Sequence, residues 1–124
     1  MKIQEFAEHY LETILILQKR TGAVRSIDIA AELNFSKPSV SVAMRNLREN
    51  GYIEVDKEGH IVLLDQGREL AEKLYERHTL ISDWLTAIGV TTTVASEDAC
   101  RIEHVISEES FAAIKAHTYA GKPR

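Results

Sequence analysis

The chain has one cysteine, two prolines and six glycines in 124 residues. A single thiol excludes an intrachain disulfide, fits a reducing cytoplasm, and leaves Cys100 available for other chemistry. There is no internal repeat and no low-complexity segment. No apolar run approaches the ~18 residues of a membrane span, so no membrane partner is expected. The opening, Met1-Lys2-Ile3-Gln4-Glu5, enters an amphipathic pattern directly and lacks the apolar core of a secretory signal. Cationic excess is missing as well: 15 Lys and Arg stand against 19 Asp and Glu, a net charge of −4, with a pI near 5.7. That balance argues against a constitutive, charge-driven nucleic-acid binder. It leaves room for a local cationic surface, or for acidic groups neutralised by metal. Gly-rich phosphate loops, serine-nucleophile motifs and a His-Glu-x-x-His helix are also absent, so no enzyme is expected, a small metal hydrolase included.

What is present is an ordinary globular composition, 44% hydrophobic and 27% charged. That is enough for one medium domain or two small ones sharing a core. The spacing of Phe6, Tyr10, Ile14 and Leu17, broadened by Leu11 and Leu15, predicts a helix over 5–19 that stops before Gly22. Ser26 is expected to cap a short second helix over 27–33, with Ile27, Ala30 and Leu33 as its apolar residues. After a turn at 34–36, Pro38 suits the first turn of a third helix, capped by Ser36 or Lys37 and running to Asn50. Residues 52–55 and 61–64 read as two strands around a turn at 56–60. Asp65 caps a long fourth helix through Ile88, with Leu70, Leu74, Ile81, Leu85 and Ile88 on one side. Residues 91–93 read as a linker with capping residues, 97–106 as a fifth helix, 107–110 as a break and a new N-cap, 111–117 as a last short helix and 121–124 as a loose tail.

Three short helices followed by a hairpin is the order of a winged helix-turn-helix. In that motif the third helix enters the DNA major groove, its N-terminal residues foremost. Here that end reads Ser36-Lys37-Pro38-Ser39-Val40-Ser41-Val42. Small hydroxyl residues suit close approach, and a helix N-terminus favours a phosphate. Val40, Met44 and Leu47 form the packing stripe and leave Ser39, Val42 and Arg45 outward. Val42 suits a thymine methyl, and Arg45 a phosphate or guanine. Arg25 and Lys57 suit the DNA backbone. The bland alternative is a helix cap within a solvated surface, on a winged module that binds protein.

Cys100, Glu103 and His104 share one helical face. Thiolate, carboxylate and imidazole together suit a late first-row metal ion. His9 and Glu12 are three apart on the first helix, and His78 lies midway along the fourth. Three helices therefore carry ligand-type side chains. His60 and His117 stand apart, and both read as solvent-exposed. Each residue also has an ordinary reading: a helical His at the surface, a lone Cys as a small buried hydrophobe, and His9 with Glu12 as a solvated face.

The stretches Ser36-Lys37-Pro38-Ser39-Val40-Ser41, Gly67-Arg68-Glu69-Leu70-Ala71, Arg77-His78 and 99–107 give the chain a family likeness. It resembles the metal-dependent repressors of the diphtheria toxin repressor and manganese transport regulator family, from Tyr10 to about Phe111. The resemblance implies a mainly α fold. Residues 1–64 would be a winged helix-turn-helix DNA-binding domain and 65–124 an all-helical metal-binding and dimerisation domain. It implies a homodimer that binds palindromic operator DNA when loaded with divalent metal, repressing metal-uptake genes. The likeness is to the short form, without the SH3-like third domain of many iron-type members.

Carried over position by position, the implied ligands are His9, Glu12, His78, Cys100, Glu103 and His104. His9 replaces the Asp of manganese-type and the Met of iron-type members. Cys100 matches the iron type, whereas Glu12 and His78 match the manganese type. Ser82 and Ser96 replace the Glu and His of the iron-type ancillary site. A thiol and two imidazoles favour Fe²⁺ over Mn²⁺, with Zn²⁺, Co²⁺ and Ni²⁺ also admissible. The expected principal site is His9, Cys100, Glu103 and His104, with Glu12 and His78 forming or supporting a second. Metal at these residues is expected to clamp the reading domain to the helical one and set two recognition helices about 34 Å apart. The rival reading is a winged-helix regulator answering to a non-metal ligand, whose DNA binding would survive a chelator.

Overall fold

The computed structural model describes residues 3–120, with side chains from 5 to 118. The tail expected at 121–124 lies outside the described residues. The order is α1 (Ile3–Thr21), α2 (Ser26–Leu33), α3 (Lys37–Glu49), β1 (Ile53–Val55), β2 (Ile61–Leu63), α4 (Asp65–Ala87), α5 (Thr92–Val105) and α6 (Glu108–Ala120). The fold is mainly helical, and its first five elements make a winged helix-turn-helix. Two compact units divide inside α4, between Lys73 and Leu74.

In the first unit, the α1 stripe of Tyr10, Leu11, Ile14, Leu15 and Leu17 meets Ile29, Val40, Met44 and Leu47 from α2 and α3. Ile53, Ile61 and Leu63 close this core from the hairpin, and Ala71 from the start of α4. Burying each such aliphatic side chain contributes about 1.5–3 kcal/mol. The strands pair antiparallel, Ile53 with Leu63, Glu54 with Val62 and Val55 with Ile61. Their alternation sends Ile53, Ile61 and Leu63 inward and Glu54 and Val62 outward. The loop before α2 docks on the wing, because the Ile61 N–H donates to the Val24 carbonyl at 2.7 Å. Asn34, left-handed at φ 57°, ends α2. Phe35 then stands edge-on to Tyr10, centroids 6.0 Å apart, which ties the helix-turn-helix bend to α1.

Gly67 is the most crowded of the described glycines. A Cβ there would lie 2.2 Å from the Tyr52 carbonyl oxygen. The same oxygen accepts the Leu64 N–H at 3.0 Å. Only a residue without a side chain lets α4 cross the entry to the wing at this distance.

The second unit is built from the rest of α4 with α5 and α6. Ile81, Ala99 and Phe111 are its buried centre, flanked by Leu80, Leu85, Ile102 and Ile106. Lys115 of α6 donates to Glu76 of α4 at 3.1 Å.

Several expectations from the sequence need correction. Ser26 is the first residue of α2, and Arg25 occupies the cap position. The Asp28 carboxylate reaches back to accept the Arg25 N–H at 2.8 Å, so the acid supplies the cap. Ile27 is 55% exposed, and Ile29 takes its place in the core with Ala30. Phe6 is also exposed, and so is Ile88, which lies just past the end of α4 at Ala87. Thr92 and Thr93 are helical: α5 begins early enough to bury Ala95. Residues 108–110 are the first turn of α6, because the Ser107 hydroxyl accepts the Ser110 N–H at 3.0 Å and caps the helix.

Candidate metal centre and reading surface

On α3 the reading end is built from its cap outward. The Ser36 hydroxyl oxygen accepts the Ser39 N–H at 3.3 Å and donates to the Ser39 hydroxyl at 2.8 Å. Lys37 and Pro38 occupy the first turn. Val40, Met44 and Leu47 are buried, whereas Ser36, Lys37, Pro38, Ser39, Ser41, Val42 and Arg45 are all exposed. The helix thus turns its apolar stripe inward and its small, hydroxyl and cationic residues outward. Arg25 is exposed just before α2, and Lys57 is exposed on the wing turn.

That turn is organised by Asp56. One carboxylate oxygen accepts the Glu58 N–H at 3.0 Å and the His60 N–H at 2.8 Å. These donors, the His60 amide first, hold the Asp56 carboxyl below its ordinary value. His60 is half-exposed where full exposure was expected, with Nδ1 3.4 Å from Asp56. Asp56, Glu58 and His60 cluster closely enough for a cation. The amides already engaged by Asp56 make the cluster an ordinary turn cap.

His9 and Glu12 lie one helical turn apart on α1, half-buried and buried respectively. In the second unit, α5 carries Cys100, Glu103 and His104 at the predicted spacing. Glu103 is fully buried, and its Oε1 faces His78 Nδ1 at 3.4 Å and His104 Nε2 at 4.0 Å. Both separations are long for hydrogen bonds. The other ring nitrogen of His78 lies 3.4 Å from the Ser96 hydroxyl. Cys100 is partly exposed one turn earlier. Glu103 therefore stands between two imidazoles, and His78 belongs beside it. A carboxylate out of water costs several kcal/mol unless positive charge shares its surroundings. A carboxylate, two imidazoles and a thiol on neighbouring helices are donors that a divalent transition metal takes, so these residues fit such an ion.

Two partners were not foreseen from the sequence: Ser96 beside His78, and Arg77. Arg77 is buried, donating to the Glu103 carbonyl at 3.1 Å and the Ile106 carbonyl at 3.0 Å. The signal was available for Arg77. It falls on the apolar stripe of α4, three residues after Leu74 and four before Ile81, where a charge must find partners.

Residues 2–61 match the family model described as the iron dependent repressor N-terminal DNA binding domain. Residues 64–121 match the iron dependent repressor metal binding and dimerisation domain. The transcriptional regulator MntR of Escherichia coli O157:H7 is 33% identical over 115 residues, covering 93% of this chain and 74% of that protein. Among solved structures, the manganese regulator SloR superposes with a TM-score of 0.81 at 27% identity, covering 91% of this chain and 53% of that one. The IdeR of T. acidophilum superposes at 0.77 and 26% identity, covering 90% of this chain and 53% of that one. The present chain thus spans about half the length of those two solved chains. No helix among the described residues is long and apolar enough to cross a membrane.

Proposed function

Because the chain belongs to the iron-dependent repressor family, we propose that it is a metal-dependent transcriptional repressor that binds palindromic operator DNA as a homodimer. Its natural targets are genes for metal uptake, and its setting is the cytoplasm. The division of labour follows residues 1–64 for DNA and 65–124 for metal and dimerisation. The observation that carries the metal reading is the fully buried Glu103 carboxylate between the His78 and His104 imidazoles, with Cys100 one turn away on the same helix. These four side chains and His9 and Glu12 of α1 are the proposed ligands. The last two rest on ligand chemistry and on the family likeness.

The proposed ion is Fe²⁺ in preference to Mn²⁺. Mn²⁺ is best held by oxygen, whereas a thiolate with imidazoles draws Fe²⁺, Co²⁺, Ni²⁺ or Zn²⁺. SloR is a manganese regulator, so the departure rests on Cys100. DNA is read by the outward face of α3, from Ser36 to Arg45, with Arg25 and Lys57 on the phosphates. Support comes from the exposure of every one of these residues and the burial of Val40, Met44 and Leu47.

The test is operator binding against free metal, each ion titrated under reducing, anaerobic conditions. Fe²⁺ activates at a lower free concentration than Mn²⁺, and Cys100→Ala weakens the Fe²⁺ response while leaving the fold intact. Activation by Mn²⁺ at the lowest concentration sinks the choice of ion. DNA binding that survives a chelator unchanged sinks the metal reading in favour of a non-metal effector.

A further inference from the structure

The last turn of α5 is an awkward place for two metal donors. Glu103 and His104 sit within three residues of the helix end at Val105. The final four carbonyls of a helix have no partner within it, and last turns fray unless something outside holds them. Ile106 is already extended at φ −71° and ψ 138°. Donors on a fraying turn wander by more than the few tenths of an ångström that a metal's coordination distances tolerate.

Arg77 meets this need directly. Its Nη1 donates to the Glu103 carbonyl at 3.1 Å and to the Ile106 carbonyl at 3.0 Å. One nitrogen thus spans the helix end, holding a carbonyl of the final turn and the first one past it. A guanidinium there also complements the negative end of the helix dipole. The group is held in turn by Phe111 of α6, whose ring centroid lies 5.5 Å from the guanidinium carbon. Phe111 belongs to the buried centre with Ile81 and Ala99. The neighbouring residue on α4, His78, faces the Glu103 carboxylate. Adjacent positions on one helix therefore both meet Glu103: Arg77 hydrogen-bonds its backbone carbonyl, and His78 faces its side chain.

We propose that Arg77 is a positioning residue for the metal donors of α5: it fixes the backbone that carries Glu103 and His104 and so sets metal affinity without touching the ion. This rests on the metal reading above. Arg77→Met keeps the stem and removes the donors. Arg77→Lys keeps the charge on a shorter arm that cannot lie flat over Phe111.

The experiment is anaerobic Co²⁺ titration of the full chain, followed by absorption, with thermal unfolding of the metal-free proteins alongside. The wild type shows saturable binding with d–d bands and a thiolate-to-cobalt band. Arg77→Met binds Co²⁺ about tenfold to a hundredfold more weakly, the range for losing a group that orients a ligand. Its d–d bands shift at saturation, which a loss of stability alone would not cause. Arg77→Lys falls between the two. Unchanged affinity and spectrum in Arg77→Met, with only a lower Tm, overturn the proposal and leave Arg77 a fold stabiliser. If Arg77→Met does not fold, Arg77→Lys decides, and a spectrum and affinity equal to wild type overturn it. Absence of Co²⁺ binding by the wild type overturns the metal reading itself, and this proposal with it.

Discussion

Replacing Glu103 by Gln separates a structural carboxylate from a metal ligand. The two side chains are nearly isosteric, so packing is kept, but the charge and one acceptor are lost. In the metal-free protein the carboxylate is fully buried with imidazoles at 3.4 and 4.0 Å. Relief of the carboxylate's desolvation favours the Gln form and loss of an acceptor disfavours it, so any loss of stability should stay below about 3 kcal/mol, the lower end of the cost of breaking a buried ion pair. With metal the expectation is different. An ion present at a hundred times its Kd stabilises the folded wild type by about 2.7 kcal/mol. If the substitution weakens binding about a hundredfold, the same metal concentration equals the new Kd and supplies only about 0.4 kcal/mol. The difference, near 2 kcal/mol, corresponds to roughly 5–15 °C of Tm for a chain of this size. Thermal unfolding of both proteins with chelator and with Co²⁺ measures all four states. A metal-induced rise in Glu103→Gln equal to that of wild type would remove Glu103 from the site. A loss above about 3 kcal/mol in the metal-free protein would show that its charge is structural.

Three further outcomes are expected. Gly67→Ala places a methyl 2.2 Å from the Tyr52 carbonyl, so the start of α4 must shift. Denaturant unfolding should show a loss of about 1–3 kcal/mol, the usual range for overpacking. Arg45→Ala, at an exposed position on α3, should weaken operator binding by about 1–3 kcal/mol. Metal affinity should be unchanged, and an equal loss in both assays would point to misfolding. Asp56, whose carboxyl is held low chiefly by the His60 amide, should cap the wing turn fully above the ordinary carboxylate range. The cap should be lost as pH falls through the lowered value. The amide resonances of Glu58 and His60 report this, and movement centred at or above the ordinary value contradicts it.

Much of the fold was legible because its elements are locally encoded. Pro38 and Ser36 mark the start of α3, and Val40, Met44 and Leu47 repeat with helical spacing and are buried. The hairpin could be read from its alternation around Asp56 and Gly59. Errors gathered at helix ends, where burial and the choice of capping side chain are not fixed by apolar spacing. Ile27 and Ile88 have the chemistry of core residues, but among the described residues nothing buries them. The starts of α2 and α6 were set by which side chain reached the free amides, Asp28 in one case and Ser107 in the other.

The donor set divides in the same way. Helical periodicity alone puts Cys100, Glu103 and His104 on one face, because residues three and four apart must align. Ligand chemistry alone then limits the ions they suit. That His78 faces Glu103 and that Arg77 holds the carbonyls at the end of α5 were decided only when α4 packed beside α5, and the full burial of Glu103 only by the tertiary structure. Spacing within one helix is fixed by backbone geometry. Contacts between residues 26 or 29 positions apart in the chain depend on how side chains of separate helices interlock, and that carries no local signature.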